Sequence, residues 1–377
     1  MNKTVVLVNQ TTGYLMIDIV NAYSMQYDNV ILIAGTIEEY DRKLSKNVKI
    51  EHIIAYSKET IIRRILSWVI ASLQVFFLLL FKYKDALIVY VTNPPIVYFA
   101  SLILKNKFIQ IEYDIYPDVL KNVNISSESW IYKTWSNMNR RIFKKAERIF
   151  TLSNGMRQIL MQYVDDSKIR VISNWASLNE LDPVNPSDNY FIKENSMEGK
   201  FVVMYSGNIG YTHNVEVILE LAERLIAFKD IHFMIIGNGG KKTQLIEYVN
   251  RHNLINCSFL DWQPTDKIRY SLSAADLSIV TLTEDTAFVS VPSKTYNILS
   301  VGSPLLCIAP KESEIGMLVE REKCGKCYER NEIKEMTNYI LQLKENISYK
   351  IELSRNALNA ATKYTCLLYT SDAADDK

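Results

Sequence analysis

The sequence contains little cysteine, glycine or proline, and its composition resembles neither a disordered nor a fibrous protein. Five cysteines in 377 residues are an odd number. With no signal peptide evident, they favour a reducing cytosol over a disulfide framework. Hydrophobic residues make up 48% of the chain, which is enough for two ordinary domains with full cores. We therefore expect a globular, cytoplasmic protein.

Metal-binding and nucleic-acid-binding patterns are also missing. No DxD motif or His/Cys cluster is evident, and Cys324 and Cys327 form a CxxC pair without a second pair nearby, so a zinc site is not indicated. Aromatic stacking modules and recognition-helix motifs are absent, which argues against nucleic acid as a partner. We expect no required metal or other cofactor.

Charge is balanced over the whole chain but not between its halves. Residues 1–173 carry 22 Lys and Arg against 15 Asp and Glu, whereas residues 174–377 carry 21 against 27. This asymmetry indicates either that the first half faces an anionic surface or that both halves simply have solvated charged faces.

The first half alternates short β-branched runs with helix-length segments. TVVLV (Thr4–Val8) is followed by a loop, NQTTG, and by an amphipathic helix. The later strand-like runs are VILIA (Val30–Ala34), ALIVYV (Ala86–Val91), FIQIEY (Phe108–Tyr113) and RIFTL (Arg148–Leu152). Such alternation predicts a parallel, doubly wound sheet.

A segment rich in Asn, Pro and Asp, residues 174–198, is the best linker candidate. A second alternation follows it, with strands predicted at FVVMY, IHFMIIG, CSFL, DLSIVTL and PLLCIA. We therefore predict an α/β protein with two Rossmann-like domains, residues 1–173 and 199–364, and a ligand cleft between them. Residues 366–377 lack a capping signal and are expected to be a non-native tail or a frayed natural one.

In a doubly wound sheet, ligands bind beyond the carboxyl ends of the strands. Glycine loops and polar groups follow three strands of the second half; plain turns are the alternative for each one. The predicted ligand-binding residues in these loops are Gly207, Asn208, Gly210, Gly237, Asn238, Gly239 and Trp262. Asn214 is expected to cap the helix after the first loop, so that the helix dipole points at a bound anion.

The stretch VSVPSKTYNILSVGSPLL predicts a short helix that begins at Pro292 and Ser293 and ends before Gly302 and Pro304. Lys294 falls in its first turn, where a lysine opposes the helix dipole unless an anion lies there. We interpret Ser293 and Lys294 as diphosphate contacts, the alternative being a merely solvated lysine.

In the first half, Asp114 and Asp118 follow a predicted strand within EYDIYPD. A carboxylate at that position can accept the proton of a hydroxyl nucleophile, with a raised pKa if it is partly buried; the alternative is a turn with an Asp cap. Thr11, Thr12 and Gly13 lie in the loop after the first strand. We expect them to border the bound substrates, either the compound that accepts the transferred group (the acceptor) or the phosphates of the compound that donates it.

The most apolar segment, Ile65–Phe81, has basic residues on both sides. Seventeen residues span roughly 26 Å as a helix, less than the ~30 Å hydrocarbon core. We prefer a helix that packs on the sheet and faces lipid, over a fully buried helix or a spanning one. A predicted helical stripe of basic residues, Arg140, Arg141, Lys144, Lys145 and Arg148, supports contact with an anionic membrane surface.

The segments YSGNIGYTHNVEVIL, IIGNGG and VPSKTYNILSVGSPLL resemble the donor half of bacterial family-4 glycosyltransferases, which have the GT-B fold. EYDIYPD, TLSNGMRQIL and VISNW are similar to the acceptor half of the branch that builds surface polysaccharides. The resemblance extends to about Tyr364. It implies a retaining transfer of a sugar from a nucleotide diphosphate to a hydroxyl, with the donor held mainly by the second domain.

This sequence departs from the family pattern at two places. Many members carry two glutamates with seven residues between them, and Val289 and Asn297 stand there instead; Asn297 can still hydrogen-bond a ribose hydroxyl. Tyr211 and His213 lie near the places of a usual basic pair, which gives Lys294 more importance. Glu314 is expected to contact the donor sugar or ribose, the alternative being a solvated helix start.

The sequence as a whole predicts a retaining glycosyltransferase of cell-surface polysaccharide synthesis, attached peripherally to the inner face of the cytoplasmic membrane, with a lipid-linked saccharide as acceptor. A nucleotide-sugar epimerase of the same architecture is the second interpretation. A non-catalytic membrane-associated scaffold is the third.

Overall fold

The computed structural model describes residues 3–39, 42–57, 59–123, 125–176, 182–210, 213–287 and 292–364. Tyr211, Val289 and the predicted tail, residues 366–377, lie outside them. The chain divides into two compact units, residues 1–174 and 175–365. The segment predicted as a linker contributes a 3₁₀ turn and a helix to the second unit.

The first unit is an α/β layer structure around one parallel sheet. Its strands are β1 (Thr4–Val8), β2 (Thr11–Thr12), β3 (Asn29–Ala34), β4 (Thr36–Ile37), β5 (Val48–His52), β6 (Leu87–Val91), β7 (Phe108–Glu112), β8 (Arg148–Thr151) and β9 (Ile169–Val171). Its helices are α1 (Tyr14–Ser24), α2 (Ile61–Phe81), α3 (Trp130–Phe143) and α4 (Asn154–Leu160). The seven-stranded sheet has the order β5-β3-β1-β6-β7-β8-β9, and β2 pairs separately with β4.

The second unit repeats this architecture. Its strands are β10 (Phe201–Ser206), β11 (Ile231–Ile236), β12 (Cys257–Leu260), β13 (Leu277–Thr281), β14 (Leu305–Ile308) and β15 (Gly325–Tyr328). Its helices are α5 (Tyr190–Glu194), α6 (Glu216–Arg224), α7 (Lys242–Arg251), α8 (Thr265–Ser273), α9 (Glu284–Ala287), α10 (Lys294–Ser300), α11 (Glu314–Glu322), α12 (Ile333–Glu345) and α13 (Ile347–Ala361). The parallel sheet has the order β12-β11-β10-β13-β14-β15.

In both sheets the strand order reverses beside the first strand of the unit. The reversal lies between β1 and β6 in the first sheet and between β10 and β13 in the second. These strands are almost wholly buried, because both faces of a parallel sheet are covered by helices. The two reversal points are where ligand sites form in this class of fold, and they position the candidate residues of each unit.

Two local predictions were wrong. The helix after the first glycine loop begins at Glu216 with Val215 at its N-cap, and the Asn214 amide donates instead to the Leu282 carbonyl at 3.2 Å. Thr11 and Thr12 lie in the short strand β2 rather than in a free loop, because β4 offers them backbone partners.

The predicted stripe of basic residues is also wrong as a helical feature. Helix α3 ends at Phe143, so Lys144 and Lys145 lie beyond its last residue and Arg148 begins β8. The chain turns here because Ile149 and Phe150 are buried in the sheet. Lys145 contacts the Ser101 carbonyl.

Helix α2 is longer than its apolar core predicts. It begins at Ile61, with the Thr60 side chain accepting a hydrogen bond from the Arg63 amide. Its 21 residues span roughly 31 Å, so length alone does not exclude a membrane-spanning helix. Among the described residues it is the helix long and apolar enough to cross a bilayer.

Topology excludes the spanning arrangement. Helix α2 joins β5 to β6, and both strands belong to the same seven-stranded sheet. A spanning helix would leave them on opposite sides of the membrane. The stripe Ser67, Ala71, Val75 and Leu79 is buried against the unit, whereas the opposite face is exposed.

Candidate active site

Two glycine loops meet at the carboxyl end of the second sheet. The Gly207 amide donates to the Ile236 carbonyl at 2.9 Å, and the Ile209 amide donates to the Asn238 carbonyl at 2.9 Å. Gly237 has φ +140°, and a Cβ there would lie 1.9 Å from the Gly207 carbonyl oxygen. Only glycine permits this approach, which brings the backbones after β10 and β11 together.

The first loop also presents unpaired backbone donors. Within the described residues, the amides of Asn208 and Gly210 have no hydrogen-bond acceptor. The Tyr205 hydroxyl donates to the Asn208 carbonyl at 2.6 Å and so holds the loop in place. Free backbone amides in a glycine loop at a sheet edge are a common way to bind an anion.

Lys294 reaches into this loop from the first turn of α10, as predicted. A Cβ on Gly207 would lie 2.7 Å from the Lys294 Nζ atom. That atom is buried and has no hydrogen-bond partner among the described residues, although Lys294 as a whole is half-buried. Burial lowers the pKa of Lys294 to about 7. Nζ lies 4.0 Å from the centre of the Tyr205 ring, a cation–π contact that offsets part of the desolvation cost.

His213 lies on the same side of the sheet and contacts the end of β13. Its Nδ1 atom is 2.9 Å from the Thr281 carbonyl oxygen, and because a carbonyl only accepts, Nδ1 carries the proton. Burial, and then the charge of Lys294, lower the pKa of His213. The neutral imidazole leaves Nε2 as an acceptor.

The other predicted donor-binding residues follow the carboxyl ends of neighbouring strands. Four of these residues lie in the two glycine loops, namely Asn208, Gly210, Asn238 and Gly239. The other four lie in segments that follow other strands of the sheet, namely Trp262, Ser293, Asn297 and Glu314. Trp262 is 55% exposed, Ser293 makes no side-chain cap hydrogen bond to α10, and Glu314 begins α11. Their roles stay predictions.

Two lysines at this edge were not predicted. Lys241 donates to the His213 carbonyl at 3.0 Å and pairs with Glu216 at 2.7 Å. Lys242 donates to the Gly237 carbonyl at 3.0 Å and pairs with Asp261 at 2.6 Å. Both fasten the glycine loops to their surroundings. The pair of lysines directly after GNGG is the sequence signal that could have found them.

In the first unit, Asp114 follows the carboxyl end of β7. Its side chain is open to solvent, yet the surrounding protein desolvates it enough to raise its pKa above the usual value. Its backbone amide approaches the Thr92 hydroxyl oxygen at 3.4 Å. Two residues earlier, Glu112 is buried, and its carboxyl oxygens have no hydrogen-bond partner among the described residues. Burial raises the pKa of that carboxyl strongly. An accessible carboxylate with a raised pKa is suited to accept a proton.

Asp118 is in a different environment. It accepts hydrogen bonds from the hydroxyls of Tyr132 at 2.7 Å and Tyr163 at 2.5 Å, and from Lys121 at 2.8 Å. Three donors occupy the oxygens of this carboxylate, and Asp118 is only 6% exposed, so a substrate hydroxyl has little access to it. The geometry therefore favours Asp114 over Asp118 as a base.

The predicted first-loop residues sit beside the reversal point of the first sheet. Thr12 is buried, and its hydroxyl donates to the Asn9 carbonyl at 3.3 Å. Gly13 is the N-cap of α1 and offers no side-chain cap. Within the described residues, no group of three or more His, Cys, Asp or Glu is arranged to hold a metal ion.

The buried ammonium group predicts a specific dependence of stability on pH. An unfolded lysine has a pKa of about 10.4, whereas that of Lys294 is about 7. Between these values the unfolded state binds more protons, so Lys294 makes stability rise with pH, by up to about 1.4 kcal/mol per unit. We expect Lys294→Met to remove this contribution and to raise the melting temperature most at pH 6. Thermal melts between pH 6 and 9 test it. Lys229→Met, at an exposed lysine, is the control, and equal pH profiles for wild type and Lys294→Met would contradict the burial.

Comparison with known proteins agrees with this geometry. Residues 186–363, all within the second unit, match the family model for glycosyl transferases group 1. WbjE of Pseudomonas aeruginosa, named as a probable glycosyltransferase, is 28% identical over 244 residues, covering 62% of this chain and 60% of WbjE. WcaI of Escherichia coli K12, whose name refers to colanic acid biosynthesis, is 30% identical over 199 residues, covering 52% of this chain and 44% of WcaI. The chain therefore spans less than two thirds of the length of either curated relative.

Solved structures with low sequence identity share the fold. HepE of Anabaena, in complex with UDP and glucose, has a TM-score of 0.73 and 15% identity, covering 99% of this chain and 98% of that one. WaaG, a glycosyltransferase involved in lipopolysaccharide biosynthesis, has a TM-score of 0.70 and 12% identity, with 98% of both chains covered. The chain has the GT-B fold, and residues 186–363 form a domain that matches the group 1 glycosyl transferase family.

Proposed function

We propose that this protein is a retaining glycosyltransferase that moves a sugar from a nucleoside diphosphate sugar to a lipid-linked saccharide during synthesis of a cell-surface polysaccharide. The observation that carries the proposal is the Lys294 ammonium group, which is buried against a glycine loop and has no hydrogen-bond partner in the described part of the chain. The group 1 match and the names of WbjE and WcaI support it, as does the binding of UDP-glucose by HepE.

The donor site supplies positive charge and hydrogen-bond donors that stabilise the departing diphosphate. When the bond between the anomeric carbon and the diphosphate oxygen breaks, its electron pair stays with the diphosphate. The amides of Asn208 and Gly210 and the Lys294 ammonium group stabilise that charge, without a metal in this scheme. Neutral His213 offers Nε2 to a hydroxyl group of the donor.

The acceptor hydroxyl oxygen bonds to the anomeric carbon and gives up its proton. We assign that proton to Asp114, because its carboxylate is accessible and desolvation raises its pKa. Transfer with retention places the new glycosidic bond on the face of the sugar that the diphosphate leaves.

Membrane attachment is part of the proposal and rests on α2. Its outward face carries large apolar side chains that are 39–77% exposed, namely Ile65, Leu66, Val69, Ile70, Leu73, Phe77 and Phe81. The flanking cations Arg63 and Lys82 already pair with Glu59 and Glu51. Apolar burial in the inner leaflet of the cytoplasmic membrane, rather than charge, therefore provides most of the attachment.

Affinity for the donor should depend on pH through Lys294. A bound diphosphate raises the pKa of the lysine from about 7, so binding is tightest below pH 7 and weakens above it, by up to about tenfold per pH unit. Calorimetry with a panel of UDP- and GDP-sugars, whose esterified phosphates do not titrate near neutrality, measures this. At pH 8 we expect proton uptake, seen as a heat that changes with the buffer. Lys294→Met should lose both the affinity for the donor and its pH dependence. Undiminished binding by this variant, or no binding by the wild type, would contradict the assignment of the donor site.

Asp114→Asn should reduce turnover by roughly 10²–10⁴-fold, the usual contribution of a general base, and leave donor affinity nearly unchanged. Transfer from a radiolabelled panel of nucleotide sugars to extracted membrane lipids is the assay. Asp118→Asn serves as the comparison: the asparagine amide keeps only one acceptor oxygen, so the hydrogen bond from either Tyr132 or Tyr163 is lost, which should lower the melting temperature instead. Wild-type turnover in Asp114→Asn contradicts the assignment. Conversion of the donor sugar without lipid indicates an epimerase, and no reaction at all indicates a scaffold.

Replacing Leu66, Leu73 and Phe77 by Gln should release the protein from lipid vesicles, because these three exposed side chains supply much of the apolar face of α2. Flotation with neutral phosphatidylcholine vesicles and with anionic ones measures it, and wild type should float with both. The control replaces Ile255, Ile347 and Ile351, which are equally exposed on the second unit. Unchanged flotation of the α2 variant, or a concentration-dependent dimer without lipid, would contradict the membrane role.

A further inference from the structure

A second unpaired cation lies in the first unit, on the inward side of α2. Arg64 is half-buried, and its Nε atom is buried without a hydrogen-bond partner among the described residues. One turn later the Trp68 indole nitrogen, and one turn further the Ser72 hydroxyl, are likewise buried without partners. A helix that is apolar outside thus presents three unused polar groups inside.

These groups face the surroundings of Asp114. The Trp68 ring stacks on Tyr56 with centroids 6.1 Å apart and meets the Tyr116 ring edge-on at 6.3 Å. The charges of Asp114 and Arg64 both act on the Tyr116 hydroxyl, in opposite directions, while burial raises the pKa of Tyr116 to about 12. Arg64 and Asp114 therefore lie on the same edge of the first sheet, with one tyrosine side chain near both.

A buried guanidinium nitrogen without a hydrogen-bond acceptor is costly, and the planar fork of donors on this group suits a phosphate. We propose that Arg64 binds the diphosphate that joins the acceptor saccharide to its lipid, with the aromatic side chains of Tyr56, Trp68 and Tyr116 beside the saccharide. The proposal rests on the proposed function and names the acceptor as a lipid diphosphate-linked saccharide.

Position on the helix separates this role from general attraction to the membrane. Successive residues of a helix are 100° apart, so Arg63 lies on the border of the exposed apolar face, where it is 63% exposed and pairs with Glu59. Arg64 lies on the inward side with the buried stripe. Headgroups of bulk lipids can reach Arg63, whereas Arg64 is reached by a headgroup that extends inward over the N-terminal end of α2, toward Asp114.

The probe is farnesyl diphosphate below its micelle concentration, and its binding is measured by calorimetry. The full chain carries Lys294→Met in this experiment, so that the donor site cannot bind the diphosphate of the probe. We expect farnesyl diphosphate to bind to the Lys294→Met protein. Adding Arg64→Gln should lower the affinity about tenfold or more, which is the effect of losing a charge-assisted hydrogen bond. Arg64→Lys should restore part of the affinity. Arg63→Gln, the matched control one residue away, should change it by less than about twofold, since exposed charges contribute little.

Further measurements distinguish a lipid-linked diphosphate from free pyrophosphate and from the headgroups of bulk lipids. Farnesol and inorganic pyrophosphate should each bind more weakly than farnesyl diphosphate, and Arg64→Gln should float with anionic vesicles as the wild type does. Equal losses in Arg63→Gln and Arg64→Gln, tight binding of pyrophosphate alone, or loss of vesicle binding with Arg64→Gln would each overturn the proposal. Binding of nucleotide sugars by the wild type is measured separately, so a failure of the donor site is distinguishable from a failure at Arg64.

Discussion

The proposed donor site of the second unit depends on a lysine ammonium group that is buried and has no carboxylate partner among the described residues. Lys294 sits against Gly207 and over the Tyr205 ring, and burial lowers its pKa to about 7. A folded protein tolerates such a group only when the rest of the structure fixes it in place. Here the glycine contacts between the two loops and the buried core behind β10 supply that stability, and in the proposed function the binding of a diphosphate offsets the cost of burying the ammonium group.

Helix α2 shows how sheet topology determines what a helix can do. Because β5 and β6 lie in one sheet, the helix between them cannot leave the surface of the first unit, however apolar it is. Its buried stripe of small and aliphatic residues packs on that unit, and its outer face is left for a partner. In the proposed function a lipid surface covers this face, because its apolar side chains run along most of the length of the helix while the flanking cations Arg63 and Lys82 are already paired.

The sequence predicted the central strands well and the edges poorly. Strands β1 and β10 are continuous runs of apolar residues, which burial on both faces requires. Strands β5 and β15 were missed because VKIEH and GKCY mix charged and apolar residues, as edge strands do. The short helix with Lys294 in its first turn was predicted from Pro292 and Gly302, whereas the start of α6 was not, since the Asn214 side chain bonds to the end of β13 instead of to its own helix. The contact of Asn214 with β13 is tertiary, so the spacing of residues along the sequence cannot predict it.

Pairing distinguishes the charged groups that stabilise the fold from those left for ligands. Lys241 and Lys242 have carboxylate partners and fasten the glycine loops, and Asp118 accepts three hydrogen bonds. Lys294 and Arg64 have none among the described residues, and each lies at the carboxyl edge of its own sheet. From sequence alone, Asp114 and Asp118 are equivalent, as are Arg63 and Arg64, because spacing records neither counter-ions nor burial. The free energy that an unpaired buried charge costs the folded protein is therefore the physical reason to assign these two cations to anionic ligands and the paired ones to structure.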